Sequence, residues 1–234
     1  MKTPTSRLAA AALAATALTA AANASVVIDF DTDGLGNTLN SGTGLTGNEY
    51  ANLGVTISAM SPNNSPLNLF ASNTVPATGG DPDLTTGPAF DSTPQGNVLI
   101  LQDLGDNPIS TPDDDEDGGT FIFDFAGPGA TLHTVGLLDL DEPTDPIFQV
   151  TFVAGGTQTV SASNITLENP AFPGDNSLRF YDFTLAGPIS SLSITLPDIS
   201  GAITGIEFTP IPTPGAASLF AIGALAATRR RRSA

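Results

Sequence analysis

Aspartates recur at alternate positions along this chain, and carboxylates so spaced are raw material for binding a hard cation. The stretch "DFDTDG" sets Asp29, Asp31 and Asp33 before Gly34, and "DDDEDG" sets Asp113, Asp115 and Asp117 before Gly118. Asp81 and Asp83 in "TGGDPDL", with Asp139 and Asp141 in "LLDLDE", form two further pairs. Alternate residues of an extended chain share a face, so each group is expected to gather its carboxylates on one side. Like charges that close repel unless they are solvated, protonated or neutralised by a cation. Ca²⁺, which takes six to eight oxygen ligands, is the expected structural counterion. Asp81, Asp83, Asp139 and Asp141 lead the candidates, because "LLDLD" reads as a strand running into its loop.

The same D-x-D-x-D-G spacing opens an EF-hand loop, with the glycine permitting the sharp turn. In the second copy Asp124 even falls at the twelfth position. However, "GGTFIFDF" continues as a strand, where Asp124 alternates with Phe123 and Phe125 as an outward residue, so an EF-hand is excluded. A solvated acidic turn is the alternative reading of "PDDDEDGG".

The catalytic inventory is thin. There is no cysteine, so no disulfide, thiolate metal site or cysteine nucleophile exists. His133 is the one histidine. It sits in the strand-like "TLHTVG", with no G-x-S-x-G elbow anywhere to complete a triad, and reads as a surface or edge-strand residue. A glycosidase needs only two carboxylates, which 24 acidic residues supply. Sugar rings are usually held on aromatic faces, yet the chain has no Trp and only Tyr50 and Tyr181, and its 13 Phe fall mostly at core-like strand positions such as Phe121, Phe123 and Phe125. Tyr50 reads as an anchor of its loop to the core, with Glu49 beside it as a further oxygen donor. An enzyme is not expected.

What must position these carboxylates is a set of short strands. "SVVIDF", "GVTISAM", "LNLFA", "NVLILQ", "TFIFDF", "LHTVGLLDLD", "FQVTFVA", "QTVSAS", "LRFYDFTL", "SLSITLP" and "AITGIEFT" are rich in Val, Ile, Phe and Thr, and several alternate apolar with polar. Gly, Pro, Asn and Asp clusters separate them, and no helical stripe appears in residues 25–209. The expected fold is all-β: an antiparallel β-sandwich, jelly-roll-like. Two segments, "FIFDFAGPGATLHTVGLLDLD" and "RFYDFTLAGPISSLSITLPD", share a strand, Ala-Gly-Pro, strand plan. It is read as recurrent turn chemistry connecting successive strands.

Charge divides the chain into three parts. All 24 acids lie in residues 25–210, where Arg179 is the sole Lys or Arg. Nucleic acid is therefore not an expected partner, since phosphate contacts need Lys and Arg. Lys2 and Arg7 precede an apolar run over residues 8–22, and Ala22-Asn23-Ala24 has the small-x-small pattern of signal cleavage, so residues 1–24 read as a secretory signal peptide helix. At the other end Pro212, Thr213 and Pro214 precede an uncharged run over residues 216–228 and then Arg229, Arg230, Arg231 and Arg232. As a helix that run would cover about 20 Å, short of the ~30 Å hydrocarbon core unless flanking residues extend it. The positive-inside rule keeps the arginines on the cytoplasmic side and the acidic body outside.

A proline motif, a short apolar helix and a terminal Arg cluster, paired with an N-terminal signal, resemble the PEP-CTERM sorting tail. The resemblance covers residues 210–234, with Pro212-Thr213-Pro214 in place of the usual Pro-Glu-Pro. It implies an exosortase-type membrane protease as partner and transient inner-membrane anchoring through the C-terminal helix. Association with exopolysaccharide or biofilm at the cell surface or in the matrix would follow. The mid-chain string "GGDPDL", "GNVLI", "GGTFIFDF", "VGLLDLDE" is similar to the body of secreted bacterial proteins carrying such a tail, which implies an extracellular β-sandwich and no catalytic residue. The expected function is thus an exported, non-enzymatic surface or matrix protein of three parts, residues 1–24, 25–209 and 210–234. The alternatives are a Ca²⁺-dependent carbohydrate-binding module and, below it, a secreted carboxylate glycoside hydrolase.

Overall fold

β-Branched and aromatic runs do become strands. The computed structural model describes residues 24–73, 81–105, 108–140, 145–172 and 174–213. It contains β1 (Val26–Ile28), β2 (Val55–Met60), β3 (Leu67–Ala71), β4 (Asn97–Leu101), β5 (Gly118–Phe125) and β6 (Ala130–Leu138). The second half adds β7 (Ile147–Phe152), β8 (Thr157–Val160), β9 (Asn164–Leu167), β10 (Leu178–Asp182), β11 (Ile189–Pro197) and β12 (Ala202–Pro210). Two 3₁₀ turns, Ala51–Leu53 and Pro88–Phe90, are the helical pieces among the described residues. All eleven expected strand segments are found. The twelfth, β9, was not read from the sequence: it alternates, but over four residues with two apolar side chains, and it pairs only with β10 and has no buried residue.

Every pairing is antiparallel, and the strands make one sheet that nearly closes into a barrel. The sheet bends at a single pairing, Ile189 with Ala130, which joins β11 to β6. On one side lies a layer in the order β2, β5, β11, β7, β8. On the other, β9, β10, β6 and β12 follow in order, with β1 and β4 sharing the free edge of β12 and β3 beyond β4. The two Ala-Gly-Pro segments are the corners of this arrangement. Each carries the chain from one layer to the other, β5 to β6 and β10 to β11, and each opens the strand that supplies one partner of the joining pair.

A continuous core fills the space between the layers. Ile57, Phe121, Phe123, Leu192, Ile194 and Val150 from the first meet Leu99, Leu132, Val135, Ile203, Ile206 and Phe208 from the second. Aromatic pairs cross the gap, Phe125 against Phe208 and Phe148 against Tyr181, both with ring centroids 5.1 Å apart. Such pairs add about 0.5–1.5 kcal/mol beyond area burial. A smaller core lies on the outer face of the second layer, where Leu84 covers Phe70, Val98, Ile100, Leu138, Leu178 and Ala202.

Two β-bulges tune this second layer. The register of β12 against β6 shifts between Ile203 and Gly205, and again between Glu207 and Phe208, where β6 carries the extra residue His133. A bulge sets two residues against one, so residues three apart can face the same way. Ile203 and Ile206 thereby both point into the core, as do Leu132 and Val135, while Thr204 and Gly205 fall to the outside. His133 is half-buried on a central strand rather than at an edge, with its Nε2 2.8 Å from the Thr209 hydroxyl.

All but Ala24 of the expected signal helix (residues 1–24), and the whole of the C-terminal helix (residues 216–228), lie outside the described residues. Among the described residues no helix is long and apolar enough to cross a membrane.

The corner at Gly129 offers a direct test. Gly129 has φ 83°, and a Cβ there would collide with the Ile189 carbonyl and the Val153 side chain. Gly129→Ala is expected to cost about 2–4 kcal/mol from positive φ and the clash together. Urea unfolding reads this, and an unchanged midpoint would show that the corner does not fix the two layers.

Candidate functional site

Three carboxylates from distant parts of the chain converge beside the outer core. Asp139 directly follows β6 with φ 60°, a left-handed backbone that Asp tolerates better than most residues. Its amide donates to the Ser177 carbonyl at 2.8 Å, and its Oδ1 accepts from the Asn176 amide at 3.0 Å. Asp81 opens the loop that carries Leu84 over the outer face, and its Oδ1 accepts the Asp83 amide at 2.8 Å. The Asn176 side chain clamps that loop by donating to the carbonyls of Pro82, Asp83 and Thr85 at 3.1, 2.6 and 2.9 Å. Asp114 stands on an isolated bridge opposite Gln102 and accepts the Gly201 amide. One oxygen from each of Asp81, Asp114 and Asp139 lies within 4.8 Å of the others. Asp114 is 6% exposed and Asp139 2%, with Asp81 half-buried.

Electrostatics make this an unusual place for three acids. Burial first, and then the hydrogen bond and charge of Asp81 and the charge of Asp139, push the Asp114 carboxyl well above the ordinary carboxylate range. The Gly201 amide is the opposing influence, and no cation figures among the causes. Arg179, the one cationic side chain of residues 25–210, acts on Tyr181, where it partly offsets the upward push of burial. Either Asp114 keeps a proton shared with Asp81, or a cation enters and takes its place.

The structure uses the other aspartates differently. Asp83 points its carbonyl at Asn176 and its amide at Asp81, so it shapes the loop beside the cluster. Asp141 lies outside the described residues. Asp29, Asp31 and Asp33 are not drawn into one ligand group, because the chain turns there instead of running straight. Asp33 accepts from the amides of Leu35 and Asn37, both at 2.8 Å, and from the Asn37 side chain, which lowers its pKa. Asp31 accepts the Asn97 amide at 2.8 Å and Asp29 that of Asp31 at 3.1 Å. Asp115 accepts the Ser65 hydroxyl and the Asp117 amide, Asp117 takes the Asn63 side chain at 2.7 Å, and Asp113 offers its carbonyl to the Asp103 amide. Asp124 is exposed between buried Phe123 and Phe125.

The chain matches no family model and no curated protein. What the three carboxylates can do follows from their chemistry: share protons, or hold a hard cation whose remaining ligands would be carbonyls and water. Sequence reasoning missed Asp114 because the calcium-loop template weighs alternate positions and so selected Asp113, Asp115 and Asp117. The available signal was the unbroken Asp113-Asp114-Asp115 run, in which the middle residue must face opposite to its neighbours.

Tyr50 is 1% exposed, edge-on to Phe30 with centroids 6.1 Å apart, and its hydroxyl has no hydrogen-bond partner. Burial, followed by the charges of Asp29, Glu49, Asp33 and Asp31, raises its pKa. Glu49 is committed to the turn through the Thr46 amide and hydroxyl, each at 2.8 Å. Of the processing residues, Ala24, Pro212 and Thr213 are exposed irregular backbone, while Ala22, Pro214, Arg229, Arg230, Arg231 and Arg232 lie outside the described residues.

Because the folded pKa of Asp114 is raised, the native state holds a proton that the unfolded chain has already lost above about pH 4. In chelator, stability should therefore fall as pH rises from there toward the native pKa, by up to about 1.4 kcal/mol per pH unit, and then level off. Asp114→Asn keeps the acceptor for Gly201 and a donor for Asp81. It is expected to remove that part of the slope and to exceed the wild type in stability near neutral pH. Urea titrations from pH 4 to 8 measure both, and identical slopes would rule out a native-state proton on Asp114.

Proposed function

We propose that this protein is an exported, non-catalytic surface-display domain whose fold is stapled by Ca²⁺ at Asp81, Asp114 and Asp139. The observation that carries the cation is the convergence of three carboxylates, two of them buried, with Asp114 pushed up by burial and by the charges of the other two. Asp139 follows a central strand, Asp114 sits on a bridge and Asp81 begins the covering loop. An ion there fastens the loop to the sheet, a structural role. We read the two-layer architecture as a jelly-roll-like sandwich.

Export and display rest on the ends of the chain: the signal-like start, the Pro212-Thr213-Pro214 motif and the four terminal arginines. On this reading residues 1–24 direct export and the C-terminal run holds the chain in the inner membrane. An exosortase-type protease then acts near Pro212 to Pro214 and passes the domain to the surface or matrix, where exopolysaccharide is its surrounding. Burial argues against a carboxylate glycosidase at the cluster, since the two carboxyls of such an enzyme must flank a bound sugar. A Ca²⁺-dependent carbohydrate-binding module is the second reading, favoured by the position of Asp81 on a half-buried loop.

Thermal unfolding of the protein in Ca²⁺ and in chelator tests the cation. At a hundredfold excess over Kd the gain is about 2.7 kcal/mol, or about 5–10 °C for a domain of this size class. Asp81→Asn should abolish it, and Mg²⁺ should reproduce little of it. No shift at any Ca²⁺ concentration would leave the cluster a proton-sharing group. For display, replacing Arg229, Arg230, Arg231 and Arg232 with Ser is expected to reduce membrane retention and C-terminal processing in cell fractions, and unchanged localisation would sink that reading.

A further inference from the structure

The outer face of the second layer is only half covered. Leu84 closes one part, but beyond Phe180 the face opens into a cavity of about 520 Å³. That volume falls within the roughly 300–1,000 Å³ of small-ligand sites. Its floor is a row of directly paired positions across β10, β6 and β12: Phe180, Gly136 and Gly205. The trench exists because two glycines pair beside one aromatic ring where β12 bulges. A Cβ on Gly136 would collide with Thr204 Oγ1 and lie 3.1 Å from the Phe180 ring. Thr204 is 4% exposed, and its hydroxyl has no hydrogen-bond partner. A buried hydroxyl orphaned at a cavity floor marks a missing hydrogen-bonding group.

The next row, across β6 and β12, is polar: Thr134 and Glu207. Asp29, Asp31 and Gln95 complete the wall, and no Lys, Arg or His lines it among the described residues. Three carboxylates thus face one trench with acceptor capacity to spare. Glu207 Oε1 takes the Ser25 hydroxyl at 2.7 Å, Asp31 Oδ1 the Asn97 amide and Asp29 Oδ1 the Asp31 amide, whereas a carboxylate has about four lone-pair sites. Their oxygens do not converge. Among the described residues only Asp81, Asp114 and Asp139 come within 4.8 Å of one another. A point cation cannot bridge a set so spread, but a ligand with several separated donors can.

We propose that this trench binds a hydroxylated ring bearing a protonated amine, an amino-sugar unit with its amine free. The ring packs on Phe180 over the two glycines, its ammonium makes a charge-assisted hydrogen bond to one of the separated carboxylates, and its hydroxyls donate to the others and to the Gln95, Thr134 and Thr204 oxygens. The neutral parent sugar lacks that charge, and the N-acetylated sugar replaces it with a bulky neutral amide. The proposal goes beyond display by naming a ligand, and it does not use the cation at Asp81.

Calorimetric titration of the full chain with glucosamine, N-acetylglucosamine, glucose and a glucosamine oligomer tests it. Glucosamine or its oligomer is expected to bind, with the two neutral sugars at least about tenfold weaker and the difference shrinking at high salt. A response to the monosaccharide assigns a free-sugar site, and one to the oligomer alone assigns a polysaccharide; both support the proposal. Glu207→Gln and Asp29→Asn should each weaken binding about tenfold without lowering Tm. Gly136→Ala should block it, and if that variant fails to fold the two carboxylate variants still decide. Equal affinity for all the sugars, no binding by any, or wild-type affinity in both carboxylate variants would overturn the proposal. Titration in chelator separates it from the cation site: binding persists if the trench is the site, and its loss would move the sugar to Asp81, Asp114 and Asp139.

Discussion

Ala130 and Ile189 form the pairing through which the two layers share a hydrogen-bonded ladder among the described residues, so what holds the layers together is apolar packing between them. The core is built for that task. Phe121 and Phe123 are fully buried on β5, Leu192 and Ile194 on β11, and Leu132, Val135, Ile203 and Ile206 oppose them. With no disulfide possible, nothing covalent shares the load. Burying each such side chain stabilises by about 1.5–3 kcal/mol, and the crossed aromatic pairs set the spacing. The Ala-Gly-Pro corners matter because they turn the chain from one layer to the other at the one place where the ladders meet.

Keeping the core facing inward has a consequence on the other side of the sheet. The bulges at Thr204 and His133 let paired aliphatic residues point the same way, and in doing so they push Thr204, Gly205 and Thr134 outward. Gly136 then meets Gly205 with no side chain between them. The cavity is therefore a by-product of core geometry, lined by acidic residues because most of the polar charge of this domain is negative. A flat two-stranded pairing of the same residues would have turned either Ile203 or Ile206 to solvent.

Acidic residues serve two purposes in this fold. Most act locally: Asp29, Asp33 and Asp115 accept backbone amides and hold turns, as short carboxylate side chains do. Asp114 and Asp139 instead surrender solvent and approach Asp81. Burial of like charges is costly, so that cluster must hold either protons or a cation. The covering loop, clamped by Asn176, depends on which of the two is present.

The sequence by itself determined the all-β class, eleven of the twelve strands, the Phe-rich core and the excess of carboxylates, since period-two alternation and composition are local properties. It also marked Asp81 and Asp139. It did not reveal β9, whose four residues alternate too briefly to stand out from the loops around them, nor that the Ala-Gly-Pro corners change layers. The bulges were not read either: in "LHTVG" and "AITGI" the aliphatic residues stand three apart, and only the partner strand identifies that break in period two as a slip. Only the tertiary structure decided that Asp114, not Asp113 or Asp115, joins the cluster, and that Asp29 and Asp33 hold turns while Asp31 reaches across to the Asn97 amide. The physical reason is the same in each case: spacing along a chain states which residues share a face, but which faces meet depends on long-range pairing, and pairing is where charges are forced together or left to water.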